Sequence, residues 1–267
     1  MTKYKNIYIN RELSWLQFNA RVLQEASDET VPLIERLRFL GIFSNNLDEF
    51  FKVRYATVKR IYDAGKGGKS ELGGIKAGEL LEEITEVVID QQRESVEILN
   101  KIEKELESEN IFIINETEIE ADHHEFIKNY FYQEISPALV VIILDEDIAL
   151  PELKDSAGYL TITMSNSGGK DQYALIEISK SMERFIVLPN RGEANYIIMV
   201  DDVIRYCLGE IFNIFKYDSI SSHMIKITRD GELDFDSDLS KSFVDKLSRS
   251  VKGRQSGDPV RFVHDKN

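Results

Sequence analysis

Cysteine is nearly absent from this 267-residue chain: Cys207 is the only one, so no internal disulfide can form and a reducing, cytoplasmic setting is expected. Its apolar surroundings, VIRYCLGEIF, read as a core thiol. Long apolar runs are missing too. The stretch ALVVIIL at 138–144 falls far short of the roughly 20 residues a transmembrane helix needs. The opening MTKYKNIYINRELSW carries charge where a secretory leader has its apolar core, so no leader is expected. A basic excess is also lacking. Lys and Arg number 33 against 47 Asp and Glu, and the net charge of −14 argues against nucleic acid as a partner. Histidines are four, and no HExxH, Cys-His cluster, GxSxG or DxDxDG loop occurs, so the sequence marks neither a metal site nor a catalytic nucleophile.

What is present supports packed cores: 42% of the residues are hydrophobic, and the length suggests two domains. Charge is unevenly placed, with ten Lys/Arg against seven Asp/Glu in residues 1–62. Helical periodicity predicts a helix over 11–28, its stripe formed by Leu13, Leu16, Phe18, Val22 and Leu23. DETVP at 28–32 reads as a turn, with Thr30 as N-cap and Pro32 in the following first turn. The pattern continues to Tyr62, and Gly41 suggests two helices meeting near 41–46. AGKGGKSELGGIKAG (64–78) is a glycine-rich connection. Its GKS resembles the end of a P-loop, but Asp63 stands where the first glycine belongs and no strand precedes it. A long amphipathic helix follows over 79–109.

From residue 110 β-branched residues dominate. NIFIINETEI (110–119) marks the change of character; strands are predicted at 138–144, 159–165, 172–178 and 184–189, a strand and turn at 223–233, and helices at 122–135, 197–215 and 239–254. SNSGGKD (165–171) reads as a hairpin connection, and DPVRFVHDKN as the start of another strand, which implies a domain cut short. The expected class is α + β: an all-α helical bundle over 1–109, then an α+β domain with a mainly antiparallel sheet over 110–267.

Most titratable clusters have plain structural readings. His123 and His124 adjoin in a predicted helix and read as solvated surface; Asp201 and Asp202 read as helix caps, and Asp145–Asp147 as a charged loop. The stretch FLGIFSNNLDEFFKVR (39–54) is different. Phe39, Ile42, Phe43, Asn46 and Phe50 share one helical face. An amide among aromatics suits a purine, whose flat face takes apolar contact and whose edge takes a donor and an acceptor. Arg36, Arg38, Lys52 and Arg54 lie near enough in sequence to favour phosphates, and Lys59 and Arg60 are further candidates for a polyanion, with surface salt bridging as the alternative. Asn45 or Asn46 also reads as the N-cap of a helix beginning NLDEFF. From local chemistry that is the simpler reading, and the two roles are compatible.

YINRELSWLQFNARVLQEA (8–26), PLIERLRFLGIFSNNLDEFFKVR (32–54) and, more loosely, RYCLGEIF (205–212) and DPVRFVHD (258–265) resemble polyphosphate kinases of the first family. That resemblance implies a helical N-terminal domain, an α+β head domain and two phospholipase-D-like domains. It implies reversible transfer of the ATP terminal phosphoryl group to inorganic polyphosphate through a phosphohistidine, with magnesium. On that resemblance Asn46 corresponds to the ATP-binding asparagine, with Phe39 and Ile42 lining the adenine pocket and Asn45 finishing the helix turn. The catalytic histidine and magnesium ligands belong to the C-terminal domains, and none of the four histidines here matches their positions. The expected role is therefore ATP base binding and homo-oligomer assembly without catalysis. A homodimerisation scaffold or a standalone helical adaptor are the alternatives.

Overall fold

The computed structural model describes residues 9–65, 72–145, 151–231 and 257–265. The helix expected at 239–254 and the GKS of the glycine-rich stretch lie outside the described residues. The chain forms two compact units: residues 1–105 with 228–260, and residues 106–227 with 261–267.

Helix α1 (Arg11–Ser27) starts where the Asn10 side chain accepts the Glu12 amide at 2.9 Å. Its buried stripe is Glu12, Leu16, Asn19, Leu23 and Ala26, a step of three or four throughout. Phe18, expected on that stripe, is 58% exposed. Two polar residues take inward positions because each finds a partner there. Thr30 caps no helix: its amide and hydroxyl both donate to Asp28, and α2 (Leu33–Phe50) enters through Pro32.

Helix α2 runs unbroken through Gly41 and both asparagines, so no junction exists at 41–46 and neither Asn45 nor Asn46 is an N-cap. Arg36, Leu40, Phe43, Leu47 and Phe50 keep it seated, while Gly41 faces open space. The irregularity comes later, as a π-helical turn at Phe51–Tyr55 before α3 (Ala56–Asp63). A wider turn lets adjacent Phe50 and Phe51 both be buried, which a regular α-helix face does not offer to neighbours in sequence. Helix α4 (Ala77–Ser108) buries Leu80, Ile84, Val88 and Ile98, and its Gln91 donates to the Leu16 carbonyl at 3.0 Å. Val96 on the same helix faces solvent. Residues 228–231 and 257–260 are tied to this unit by Gly231 donating to the Lys52 carbonyl at 3.0 Å and by an Arg60–Asp230 ion pair of 3.2 Å.

Among the described residues the second unit holds two sheets. In the smaller, β1 (Ile111–Ile114) pairs parallel with β6 (Asn195–Met199), which pairs antiparallel with β5 (Phe185–Val187). The larger has the order β2 (Val140–Leu144), β4 (Gln172–Ile178), β3 (Gly158–Ser165), β7 (Ser219–Arg229), β8 (Pro259–His264). Its first three pairings are antiparallel, so the sheet is mainly antiparallel as expected. SNSGGKD is the β3–β4 hairpin connection. On one face Leu160, Ile162, Met164 and Ile176 pack with Ile127 and Phe131 of α5 (Ala121–Tyr130) and its π-helical extension Phe131–Ile135. On the other, Tyr159 and Leu175 pack with Leu153, Ala157 and Ile225.

The helix expected over 197–215 is a strand first. Ile197 and Ile198 pair on both sides, with β1 and β5, and the sheet takes these β-branched residues. Helix α6 (Val200–Tyr206) follows, then α7 (Leu208–Ile211), separated at Cys207. No helix among the described residues is long and apolar enough to cross a membrane.

Candidate nucleotide site

The candidate site lies where α1 and α2 face each other. Trp15 stacks on Phe50 with ring centroids 4.9 Å apart, and one turn along each helix Asn46 Nδ2 donates to Asn19 Oδ1 at 3.0 Å. Asn19, fully buried, donates its own Nδ2 to the Phe43 carbonyl at 3.2 Å. A carbonyl only accepts, so Asn19 must turn its amide nitrogen to Phe43 and its oxygen to Asn46. Asn46 must then present nitrogen inward. Its Oδ1 and second N–H remain for another molecule, since Asn19 is its only hydrogen-bond partner among the described residues.

The four residues singled out in sequence are placed unequally. Asn46 and Phe39 are half-buried, Ile42 is 46% exposed and Asn45 is exposed. Ile42 and Asn46 are one helical turn apart, and Phe39 lies one turn before Ile42, giving an apolar strip that ends in an amide. Phe43, grouped with them in sequence, belongs to the core.

Most of the cations singled out with them already have partners. Arg36 is buried, donating to the Ala26 carbonyl at 2.9 Å and to Glu105 at 2.7 Å, so it holds α2 to α1 and α4. Arg38 pairs with Glu35, Lys59 with Asp63, and Arg54 with the buried Glu12 at 3.0 Å. Such pairs hold structure as readily as they recruit anions.

The second unit corrects two further expectations. His123 is buried, with Nε2 at 3.0 Å from the Pro189 carbonyl and its ring against Tyr196. Adjacent residues on a helix point to different sides, so one of the His123–His124 pair meets the core. Asp201 and Asp202 are first-turn residues of α6 and make no capping hydrogen bond. Burial, with Asp201 and Glu116 beside it, pushes the Asp202 carboxyl up to about 7 against the pull of Arg205. Burial likewise pushes the Cys207 thiol up to about 12, which keeps it protonated and unreactive.

Comparison with known proteins decides the family. Residues 8–114 match the polyphosphate kinase N-terminal domain and residues 122–267 the polyphosphate kinase middle domain. The chain belongs to the polyphosphate kinase family. It is 40% identical over 267 residues to the polyphosphate kinase of Vibrio cholerae and 38% identical over 270 residues to that of Escherichia coli K12. These alignments take in 97% and 98% of this chain, which spans only 37% and 38% of those relatives. The crystal structure of the Porphyromonas gingivalis polyphosphate kinase superposes with a TM-score of 0.75 at 27% identity, over 96% of this chain and 38% of that one.

The family resemblance read from the two N-terminal blocks therefore stands, as does the order of helical bundle and α+β unit. Among the described residues of this polyphosphate kinase portion, no three His, Cys, Asp or Glu side chains converge as metal ligands.

Proposed function

We propose that this portion of a polyphosphate kinase binds the base of ATP, with Asn46 reading the base edge. Phe39 and Ile42 form the apolar bed, and Asn45 stands at its rim. The rest of such a protein supplies the phosphohistidine, the magnesium site and the polyphosphate path for reversible phosphoryl transfer. The observation that carries this reading is the oriented amide of Asn46, with Oδ1 and one N–H turned away from Asn19. That is the donor–acceptor pair an adenine edge calls for. A preset amide binds at lower entropic cost than one that must choose its rotamer on contact.

The test is an NMR titration of the chain with ATP and with adenosine. Both should give saturable shifts at Asn46 and Ile42, lost in Asn46→Ala and weakened in Asn19→Ala, which removes the orienting partner together with its bond to the Phe43 carbonyl. Shifts with ATP that survive in Asn46→Ala would place the base elsewhere. In this reading the chain alone does not lengthen polyphosphate.

A second reading, assembly of a homo-oligomer, is favoured by β2. It is an edge strand of the larger sheet, composed of Val140, Val141, Ile142, Ile143 and Leu144, and it carries no charge. On a chain of net charge −14, an uncharged edge is where a second copy can pair antiparallel without like-charge repulsion.

A further inference from the structure

The packed face of the larger sheet is incomplete at one end. Along β3 the side chains of Met164, Ile162 and Leu160 fill the core in turn, and the next inward position is Gly158. Its register partners are Ile178 on β4 and Lys226 on β7. Directly opposed residues share a face, so a lysine occupies a position on the core side of a sheet, where lysine is rarely found. A Cβ on Gly158 would sit 3.6 Å from the Met224 sulfur and 3.9 Å from Ile178. Gly158 lines a cleft of about 590 Å³ in the second unit, with Ile178, Met182 and Met224 among its walls. That volume is in the range of small-molecule sites.

Its charges have one predominant sign. Lys180 and Arg184, from the segment that follows β4, join Lys226 at the cleft. Lys180 is exposed and makes no ion pair among the described residues, whereas Arg184 is held at 3.4 Å by Asp201. The one carboxylate lining the cleft, Asp265, is already engaged by Arg205 and by the Met224 amide. The Ser156 hydroxyl already donates to Asp155 at 3.2 Å, while that of Ser179, 2.8 Å from the Ser181 hydroxyl, adds a group that can donate to an oxygen anion. In a protein of net charge −14 this is a local reversal of sign, beside an apolar floor.

We propose that the cleft binds a phosphate-bearing small molecule, its phosphates on Lys180, Arg184 and Lys226 and its uncharged part on Met182 and Met224. The apolar floor suits a nucleotide better than a bare phosphate chain, which would leave Met182 and Met224 uncovered. This site is composed wholly of second-unit residues and does not depend on base reading at Asn46.

The two methionines supply the probe. The full 267-residue chain, labelled with ¹³C at the methionine methyls, is titrated with ADP and separately with tripolyphosphate. ADP should move the Met182 and Met224 signals saturably and leave Met164, in the sealed core, still. The response should persist in Asn46→Ala, which separates this site from the one on α2. Lys180→Glu, an exposed change that leaves the Met164 signal as a check on folding, should weaken binding by about tenfold. Equal affinity for tripolyphosphate would support the phosphate site and assign its ligand to an inorganic chain. Immobile Met182 and Met224 signals with both ligands at about 5 mM, or an affinity unchanged in Lys180→Glu, would overturn the proposal.

Discussion

Asn19 is fully enclosed, and the Phe43 carbonyl in front of it can only accept, so one buried amide dictates which way the half-exposed Asn46 points. Glu12 works similarly. Its carboxylate is buried between the guanidinium groups of Arg11 at 2.8 Å and Arg54 at 3.0 Å, which removes Arg54 from the free cations near the candidate site. Asp202 lacks so good a match. Its pKa of about 7 lies above the ordinary carboxylate value of 3.8, so between these values the folded state holds a proton that the unfolded chain releases. Its contribution is thus most favourable below pH 3.8 and is lost as pH rises to about 7. Asp202→Asn imitates the protonated acid. Relative to wild type its melting temperature should be higher at pH 8 than at pH 5, and a gap of the same size at both pH values contradicts the assignment.

At the level of elements, α2 shows packing overriding local propensity. A mid-helix glycine costs about 1 kcal/mol relative to alanine, and asparagine is a poor interior residue, yet the helix passes through Gly41, Asn45 and Asn46 without a break. Five inward residues spaced by three or four outweigh that penalty. Because Gly41 faces open space, Gly41→Ala meets nothing and should stabilise the protein by about 0.5–1 kcal/mol, read as a higher urea midpoint at unchanged m-value. A lower midpoint would show that this face of α2 is covered. The π-helical turn at Phe51–Tyr55 is the opposite case, where local regularity gives way so that two adjacent phenylalanines are buried.

For the whole molecule, charge and edge exposure matter together. Acidic surfaces repel their own copies, so self-association requires a patch without that repulsion. Val140 and Ile143 on β2 are 49% and 44% exposed and lie on a strand whose one side is unpaired among the described residues. If β2 pairs with itself, sedimentation of the wild-type chain should show a dimer that Ile143→Lys reduces to monomer, because the lysines oppose each other near the symmetry axis. A dimer of undiminished affinity in that variant moves the interface elsewhere, and a wild-type monomer at about 50 μM removes it from this chain.

The order of elements was legible because burial leaves a periodic mark on local sequence: three-to-four steps in α1, α2 and α4, and alternation in β3 and β4. The two N-terminal blocks also sufficed for the family, and helical spacing for placing Phe39, Ile42 and Asn46 on one helix. What sequence left open concerns polar residues that turn inward, because their partners lie far along the chain. Asn46 finds Asn19 at a separation of 27 residues, Arg36 finds Glu105 at 69, and His123 finds the Pro189 carbonyl at 66. The strand start of 197–199 likewise needed β1 and β5 on either side. Local periodicity determines which face of an element is apolar. Only tertiary contact supplies the donor or acceptor that makes a buried amide, guanidinium or imidazole tolerable, and so decides which polar groups remain free for a ligand.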